Sequence, residues 1–458
     1  MFSMNSFPRR VLLRTIALVV LLWQCCRLTD CQIRSALGHY QLVPASFGNS
    51  TAASEGVSDD FGSTVASAAL LEEGKDGNYK SSAANDRPTD LGIQTVLEPK
   101  HGDDSPPLLC QKPLEDRYSH LRSFASKKPR FFFALDLYQA AGILPQLTAS
   151  ILETVKFLGP EYCYLSIVEG NSTDGTSDLL QALHADAKTL GLTYSLVRSD
   201  LDPKNESNDR IEVLAQLRNL ALAPLLQDPS DFDSEETTIV FLNDISPCAN
   251  DILELIHQRR VQGADMACPM DYSDDGLFYD IWIARSMTGD IFFNIPPSGL
   301  WKYAKNLLWD DPERKRRLEA HTPFQVFACW NGMAAIGAKA FTQKGIRFRR
   351  NREGECYMGE PTLLAKDFWK EGLGKILVVP SVWVAYSHRA SVKVKLEKGH
   401  VEENLRDGGK EKGMQEMVEW DERPPSLIKC PMPSYSDPQW VPPYEGYVDI
   451  MILASERT

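Results

Sequence analysis

The chain has 458 residues, 43% of them hydrophobic, and a formal net charge of −13. That length suits about two to three domains, and the apolar share suits a sizeable core. The acidic balance excludes a nucleic-acid-binding surface, which needs a clustered basic excess, but leaves room for a nucleotide in a local pocket.

The first element is a targeting segment. Arg9 and Arg10 precede an apolar stretch that Arg14 interrupts, and the uncharged run from Thr15 to Cys26 spans 12 residues. A membrane-spanning helix needs about 20. The run reads as a signal-peptide core, or as a signal anchor with Arg14 snorkelling toward the basic flank. No A-x-A site follows it, which favours the anchor: residues 1–31 as cytosolic tail and span, in type II topology. Sequons at Asn49, Asn171 and Asn205 agree with secretory entry. Residues 32–108 are rich in Ser, Ala, Gly and Asp without apolar periodicity, as in a disordered stem. Beyond the signal region lie Cys110, Cys163, Cys248, Cys268, Cys329, Cys356 and Cys430. None forms a CxxC pair, so a zinc ribbon is excluded, while an oxidising lumen would let some of them pair.

Strands and helices then alternate. "RFFFALDL" (130–137) reads as a buried strand, followed by Leu144, Leu147, Ile151, Val155 and Leu158 at helical spacing up to a Gly-Pro stop. "YCYLSIVEG", "TYSLV" and "TTIVFL" read as further strands, each followed by a helix. This alternation predicts βαβ units and a mostly parallel, Rossmann-like sheet flanked by helices. Ligands of such sheets sit beyond the carboxyl ends of the strands, where Asp136, Glu169, Asn243 and Asp244 fall. In the second half, "DMACPMD", "YDIWIARS", "QVFACWNGMAAIG" and "KILVVPSVWVAYS" read as strands, and "EPTLLAKDFWKEG" as a helix. The domain is expected to span 109–390. Residues 391–458, charged and then rich in Pro and aromatics, are expected to form an extension.

Several residue types point to chemistry. In "VEGNSTDGT", Glu169 and Asp174 are acceptors for ribose or base hydroxyls, with a helix-capping turn as the alternative. Arg218 in "LAQLRNLAL" suits bidentate diphosphate binding. Asp244 ends the strand "IVFLNDI", and a buried strand rarely finishes on a carboxylate without something for it to hold. Trp330 and Asn331 in "CWNG" offer an indole for a sugar face and an amide for its hydroxyls. "RFRRNRE" (347–353) offers positive charge to an anionic ligand, or a solvated face.

The ordered set "FFFALDLYQ", "YLSIVEGNSTDGT", "RIEVLAQLRN", "FLNDISPCANDIL", "ACPMDY", "FYDIWIARS", "ACWNGMAAI", "ECYMGEPTLLAKDFW" and "VVPSVWVAYS" resembles the fungal capsule-associated group of cryptococcal α-1,3-mannosyltransferases, glycosyltransferase family 69. The likeness covers about residues 126–388. It implies a GT-A α/β fold and transfer of mannose from GDP-mannose to a mannoside, with retention, in the Golgi lumen. It further implies Mn²⁺ or Mg²⁺ on Asp244 with His388, donor contacts from Glu169, Asp174, Arg218, Asn219 and Asn243, and acceptor contacts from Trp330 and Asn331. Glu360 resembles the acidic residue of the acceptor-side motif of such enzymes, which deprotonates or orients the acceptor hydroxyl, with charge compensation at a helix N-terminus as the alternative, and Asp271 is a second catalytic, sugar-facing candidate. "NDI" departs from the two-carboxylate DxD pattern, offering one carboxylate beside the neutral Asn243. That departure keeps a non-catalytic family member, acting in polysaccharide assembly or export, as the alternative. A plain sugar-binding protein would not need a diphosphate grip.

Overall fold

The computed structural model describes residues 108–123, 128–233, 235–295, 304–407, 416–434 and 437–445. The expected anchor, most of the stem and Asn49 lie outside them. Among the described residues no helix is long and apolar enough to cross a membrane.

The elements that position the site are β1 (Phe131–Leu137), α1 (Leu144–Leu158), β2 (Cys163–Glu169), α2 (Thr176–Leu190), β3 (Thr193–Arg198), α3 (Arg210–Ala221), β4 (Thr238–Leu242), α4 (Ala249–Val261) and β5 (Met266–Tyr272). After them come β6 (Phe324–Gln325), β7 (Met333–Gly337), α5 (Glu360–Lys370), β8 (Ile376–Ala385), α6 (His388–Lys398), α7 (Val401–Asp407), β9 (Ile428–Ser434) and β10 (Asp437–Val441). Eight strands form one sheet in the order β3-β2-β1-β4-β7-β5-β8-β6. The run β3-β2-β1-β4 is parallel. β7 is inserted antiparallel between β4 and β5, β8 lies parallel to β5, and the short β6 closes the edge antiparallel. This is a mixed, mostly parallel α/β architecture.

β1 shows why the sequence folds this way. A strand buried on both faces reads as a continuous apolar run. Phe131, Phe133 and Leu135 enter one core with Leu147, Ile151 and Val155 of α1. Phe132 and Ala134 enter the opposite core with Ile211 and Leu217 of α3. From β1 the sheet grows toward β2 on one side and toward β4 on the other, which creates a crevice beyond their carboxyl ends.

Two strand expectations are corrected. "QVFACWNGMAAIG" is two short strands, β6 and β7, separated by a turn. Asn331 and Gly332 have φ of 54° and 80°, and the Met333 N–H donates to the Trp330 carbonyl at 3.2 Å. Two successive positive φ values mark a type I′ turn, which favours Asn-Gly. "YDIWIARS" consists of turns, with one isolated bridge between Arg285 and Ala328. The Asp280 carbonyl instead closes a turn, accepting the Ile283 and Ala284 N–H groups at 3.3 and 3.0 Å.

Both flanks are fastened to the domain. Cys110 bridges to Cys248, and the Arg117 guanidinium donates to both oxygens of buried Glu254 at 2.6 and 2.8 Å. The boundary expected at 390 falls inside α6, where Lys395 donates to Asp251 of α4 at 2.6 Å with both side chains buried. The β9–β10 hairpin is joined through Cys356–Cys430. A third disulfide, Cys268–Cys329, links β5 to the residue before Trp330, and Cys163 stays free and buried.

Candidate active site

Arg218 is the hub of the crevice. Asp209 caps α3 by accepting from the Ile211 and Glu212 N–H groups, and the helix then delivers Arg218 beneath the strand ends. The residue is only 6% exposed. Its Nε donates to Glu360 Oε1 at 2.8 Å, and Nη1 donates to Asn243 Oδ1 at 3.3 Å and lies 3.8 Å from Asp136 Oδ1. Its guanidinium carbon lies 4.3 Å from the centroid of the Trp330 ring, 5.1 Å from Phe241 and 5.7 Å from Phe348. Burial works against its charge, but Asp136 and Glu360 more than offset that and hold it cationic.

Glu360 opens α5, where a carboxylate also suits the helix dipole. Its placement depends on Gly359. A Cβ at that position would lie 2.3 Å from Ile283 Cδ1 and 3.0 Å from Trp282 Cδ1. Glycine therefore lets the 280–283 turn close against the start of the helix. Glu360 is 3% exposed and paired with Arg218, so it holds the hub rather than standing free as a base.

Four aspartates sit in or beside the crevice with raised proton affinity. Burial, reinforced by Glu360 and Asp244, pushes Asp136 up to about 6 despite Arg218. Asp244 stands exposed at the mouth, yet the protein around its carboxyl still raises it above the ordinary carboxylate range. Asp271 is fully buried and accepts from the Tyr386 hydroxyl at 2.7 Å. Burial and the neighbouring Asp280 hold it well above its usual value. Its complete burial and its bond to Tyr386 make Asp271 a prop inside the protein rather than a side chain lining the crevice. Asp280 is half-buried, accepts the Asn331 N–H at 2.8 Å, and is pushed by burial to about 6. The sequence reading missed Asp280 because it treated its segment as a strand.

The remaining expected residues divide into two sets. Asn243 belongs to the hub: its Oδ1 also accepts from Trp330 Nε1 at 3.0 Å. Asn331 is fully buried and donates from Nδ2 to the Pro269 carbonyl at 2.6 Å, while its Oδ1 lacks a hydrogen-bond partner. Asp174 instead ties two loops together. Its Oδ2 accepts the Ala141 N–H at 2.9 Å, and its Oδ1 accepts the N–H and hydroxyl of Thr176. Glu169 is buried and accepts the Ser172 N–H at 2.7 Å. Asn219 clasps the backbone of Phe348 with both ends of its amide, at 2.8 and 3.1 Å, and so fixes the ring that covers Arg218. In "RFRRNRE", Arg349 pairs with Glu355 and Asp367, and Arg350 lies near Asp209 and Glu212, so much of that charge is already paired. His388 is buried at the start of α6. Among the described residues no three His, Cys, Asp or Glu side chains gather as a metal-ligand set, so His388 and Asp244 do not complete one.

A crevice at the switch point of a mostly parallel sheet, lined by titratable carboxylates around one buried arginine, defines an α/β enzyme site. Residues 130–367 match the family model described as Cryptococcal mannosyltransferase 1. The chain is also 33% identical over 342 residues to Alpha-1,3-mannosyltransferase CMT1 of Cryptococcus neoformans, covering 70% of this chain and 73% of the relative. The chain belongs to the cryptococcal mannosyltransferase 1 family and is a glycosyltransferase. Solved structures overlay weakly. A Pyrobaculum calidifontis mannosyltransferase in complex with GDP-Man and Mn²⁺ gives a TM-score of 0.33 at 14% identity, over 57% of each chain. GalNAc-T7 with UDP, GalNAc and Mn²⁺ gives 0.36 at 16% identity, over 57% of this chain and 44% of the other. At those scores the likeness assigns neither fold nor ligand to this chain.

Proposed function

We propose that the chain transfers mannose from GDP-mannose to a mannoside acceptor through an α-1,3 linkage, on a GT-A fold. The 33% identity to an α-1,3-mannosyltransferase over 342 residues carries this reading, and the crevice supplies the chemistry. The donor is itself α-linked, so an α product means retention.

Asp244 fits one position of a hard divalent cation, Mn²⁺ or Mg²⁺, because it is an exposed carboxylate just past a strand end. Such a cation commonly takes one or two protein carboxylates and completes its shell with phosphate oxygens and water. It would neutralise charge building on the departing diphosphate. Arg218 fixes Glu360 and Asn243 in place, and the Trp330 indole, expected from its motif to face the acceptor, is instead 2% exposed and packs on Arg218, Phe241 and Phe348 as a wall of the hub. Asp280, with an affinity near 6, is ionised at neutral pH and accepts the proton of the acceptor hydroxyl. Three disulfides support an oxidising compartment, in line with a Golgi-lumenal domain behind a type II anchor.

The test is transfer by purified full-length protein from GDP-mannose or UDP-sugars to an α-mannoside, with Mn²⁺ or with EDTA. An α-1,3-mannosyl product, identified by NMR, should form from GDP-mannose only when metal is present. Turnover of UDP-sugars alone would overturn the donor, and full activity in EDTA would overturn the metal.

A further inference from the structure

Arg218 was the expected grip for a diphosphate, but its Nε and Nη1 are engaged by Glu360, Asn243 and Asp136, and aromatic rings surround it. An anionic donor needs a cation that can reach it. One stands in the loop between β3 and α3.

That loop starts at the carboxyl end of β3, where the Ser199 N–H donates to the Glu169 carbonyl at 2.9 Å. Local turns hold its shape. The Lys204 N–H donates to Asp202 Oδ1 at 2.8 Å, and Asn208 Nδ2 donates to the Asp202 carbonyl at 3.1 Å. The Lys204 ammonium lies 4.5 Å from the centroid of the Tyr138 ring. Tyr138 directly follows β1 and is 43% exposed. In the order β3-β2-β1-β4, Lys204 therefore reaches across β2 to the mouth of the switch-point crevice.

We propose that Lys204, resting on Tyr138, is the residue that holds the diphosphate of the nucleotide donor, and that Arg218 is a positioning residue. This rests on the nucleotide-sugar reading above. An exposed ammonium on a flexible stem binds phosphate as a point charge. Its resting contact with an exposed ring is weak enough to be exchanged for a charged oxygen.

The experiment is calorimetric titration of the full-length protein with guanosine, GMP and GDP, repeated with uridine, UMP and UDP, for wild type, Lys204→Ala and Lys204→Arg. Lys204→Ala should keep the wild-type melting temperature, because the side chain is exposed. It should bind GDP about 10- to 100-fold more weakly, as for loss of a hydrogen bond to a charged group. Nucleoside affinity should not change, and Lys204→Arg should restore most of the loss. A merely structural lysine would not separate diphosphate from nucleoside binding. Unchanged GDP binding by Lys204→Ala overturns the proposal. If wild type binds UDP and not GDP, the base in the donor reading is wrong, and the same comparison on the uridine series decides Lys204. If wild type binds neither diphosphate, the nucleotide-donor reading falls and this proposal falls with it.

Discussion

Replacing Arg218 by methionine keeps side-chain length but removes the charge between Glu360 and Asp136. The side chains of Arg218 and Glu360 are 7% and 4% exposed, so water cannot substitute for the lost partner. Removing one member of a buried pair typically costs about 3–5 kcal/mol, because the other charge stays behind uncompensated. At roughly 2–4 °C per kcal/mol for domains of 150–250 residues, the melting temperature should fall by about 6 °C or more. Glu360→Gln should cost less, because Arg218 still faces Asp136 at 3.8 Å. The double variant Arg218→Met/Glu360→Gln should recover part of the loss, since the stranded carboxylate becomes a neutral amide. Urea and thermal unfolding with disulfides intact would measure all three. A loss below about 1 kcal/mol for Arg218→Met is the size of a solvated surface pair, and would refute the buried hub.

Other outcomes follow from single positions. Asp244→Ala should leave the melting temperature unchanged, because the residue is exposed, yet abolish metal-dependent transfer in a radiolabelled-mannose assay. Gly332→Ala forces a φ of 80° on a residue whose Cβ would lie 2.9 Å from Ile245. It should destabilise by about 1–3 kcal/mol in chemical denaturation and lower acceptor turnover. Asp136 and Asp280 each bind a proton more tightly folded than unfolded, so stability should fall as pH rises from about 4 through about 6. Stability curves across that window should flatten in Asp280→Asn, and its pH–rate profile should lose the acid limb near 6.

The sheet was legible where burial writes itself into local sequence. "RFFFALDL" is apolar on both faces because β1 is central, and the spacing of α1 repeats its buried stripe. The hub was not legible as a hub. Arg218 and Glu360 are 142 positions apart, and no local pattern announces that they touch. Asp174 and Asn219 stand in motifs that suggest ligand contacts, but their polar atoms close loops, a choice that only the folded partners reveal. One such signal does lie in the local sequence. Asn331-Gly332 marks a type I′ turn, and reading it would have divided the long presumed strand. Asp280 carried no comparable local signal. Its role comes from the Asn331 N–H, which reaches it across 51 positions.

Asn243 constrains how relatives of this chain can vary. Its single oxygen receives both Arg218 and Trp330, and an aspartate could accept the same two donors. The aspartate would, however, add a negative charge beside Asp136 and Asp244, whose carboxyls already resist ionisation. A homologue with Asp here should therefore differ elsewhere as well. It would carry an extra cation near the crevice, or a neutral residue in place of Asp136, so the two positions should covary as a charge-conserving pair. The neutral amide is then a matched half of a local charge balance, and exchanging it alone for aspartate should be selected against even though it would add a second carboxylate beside Asp244.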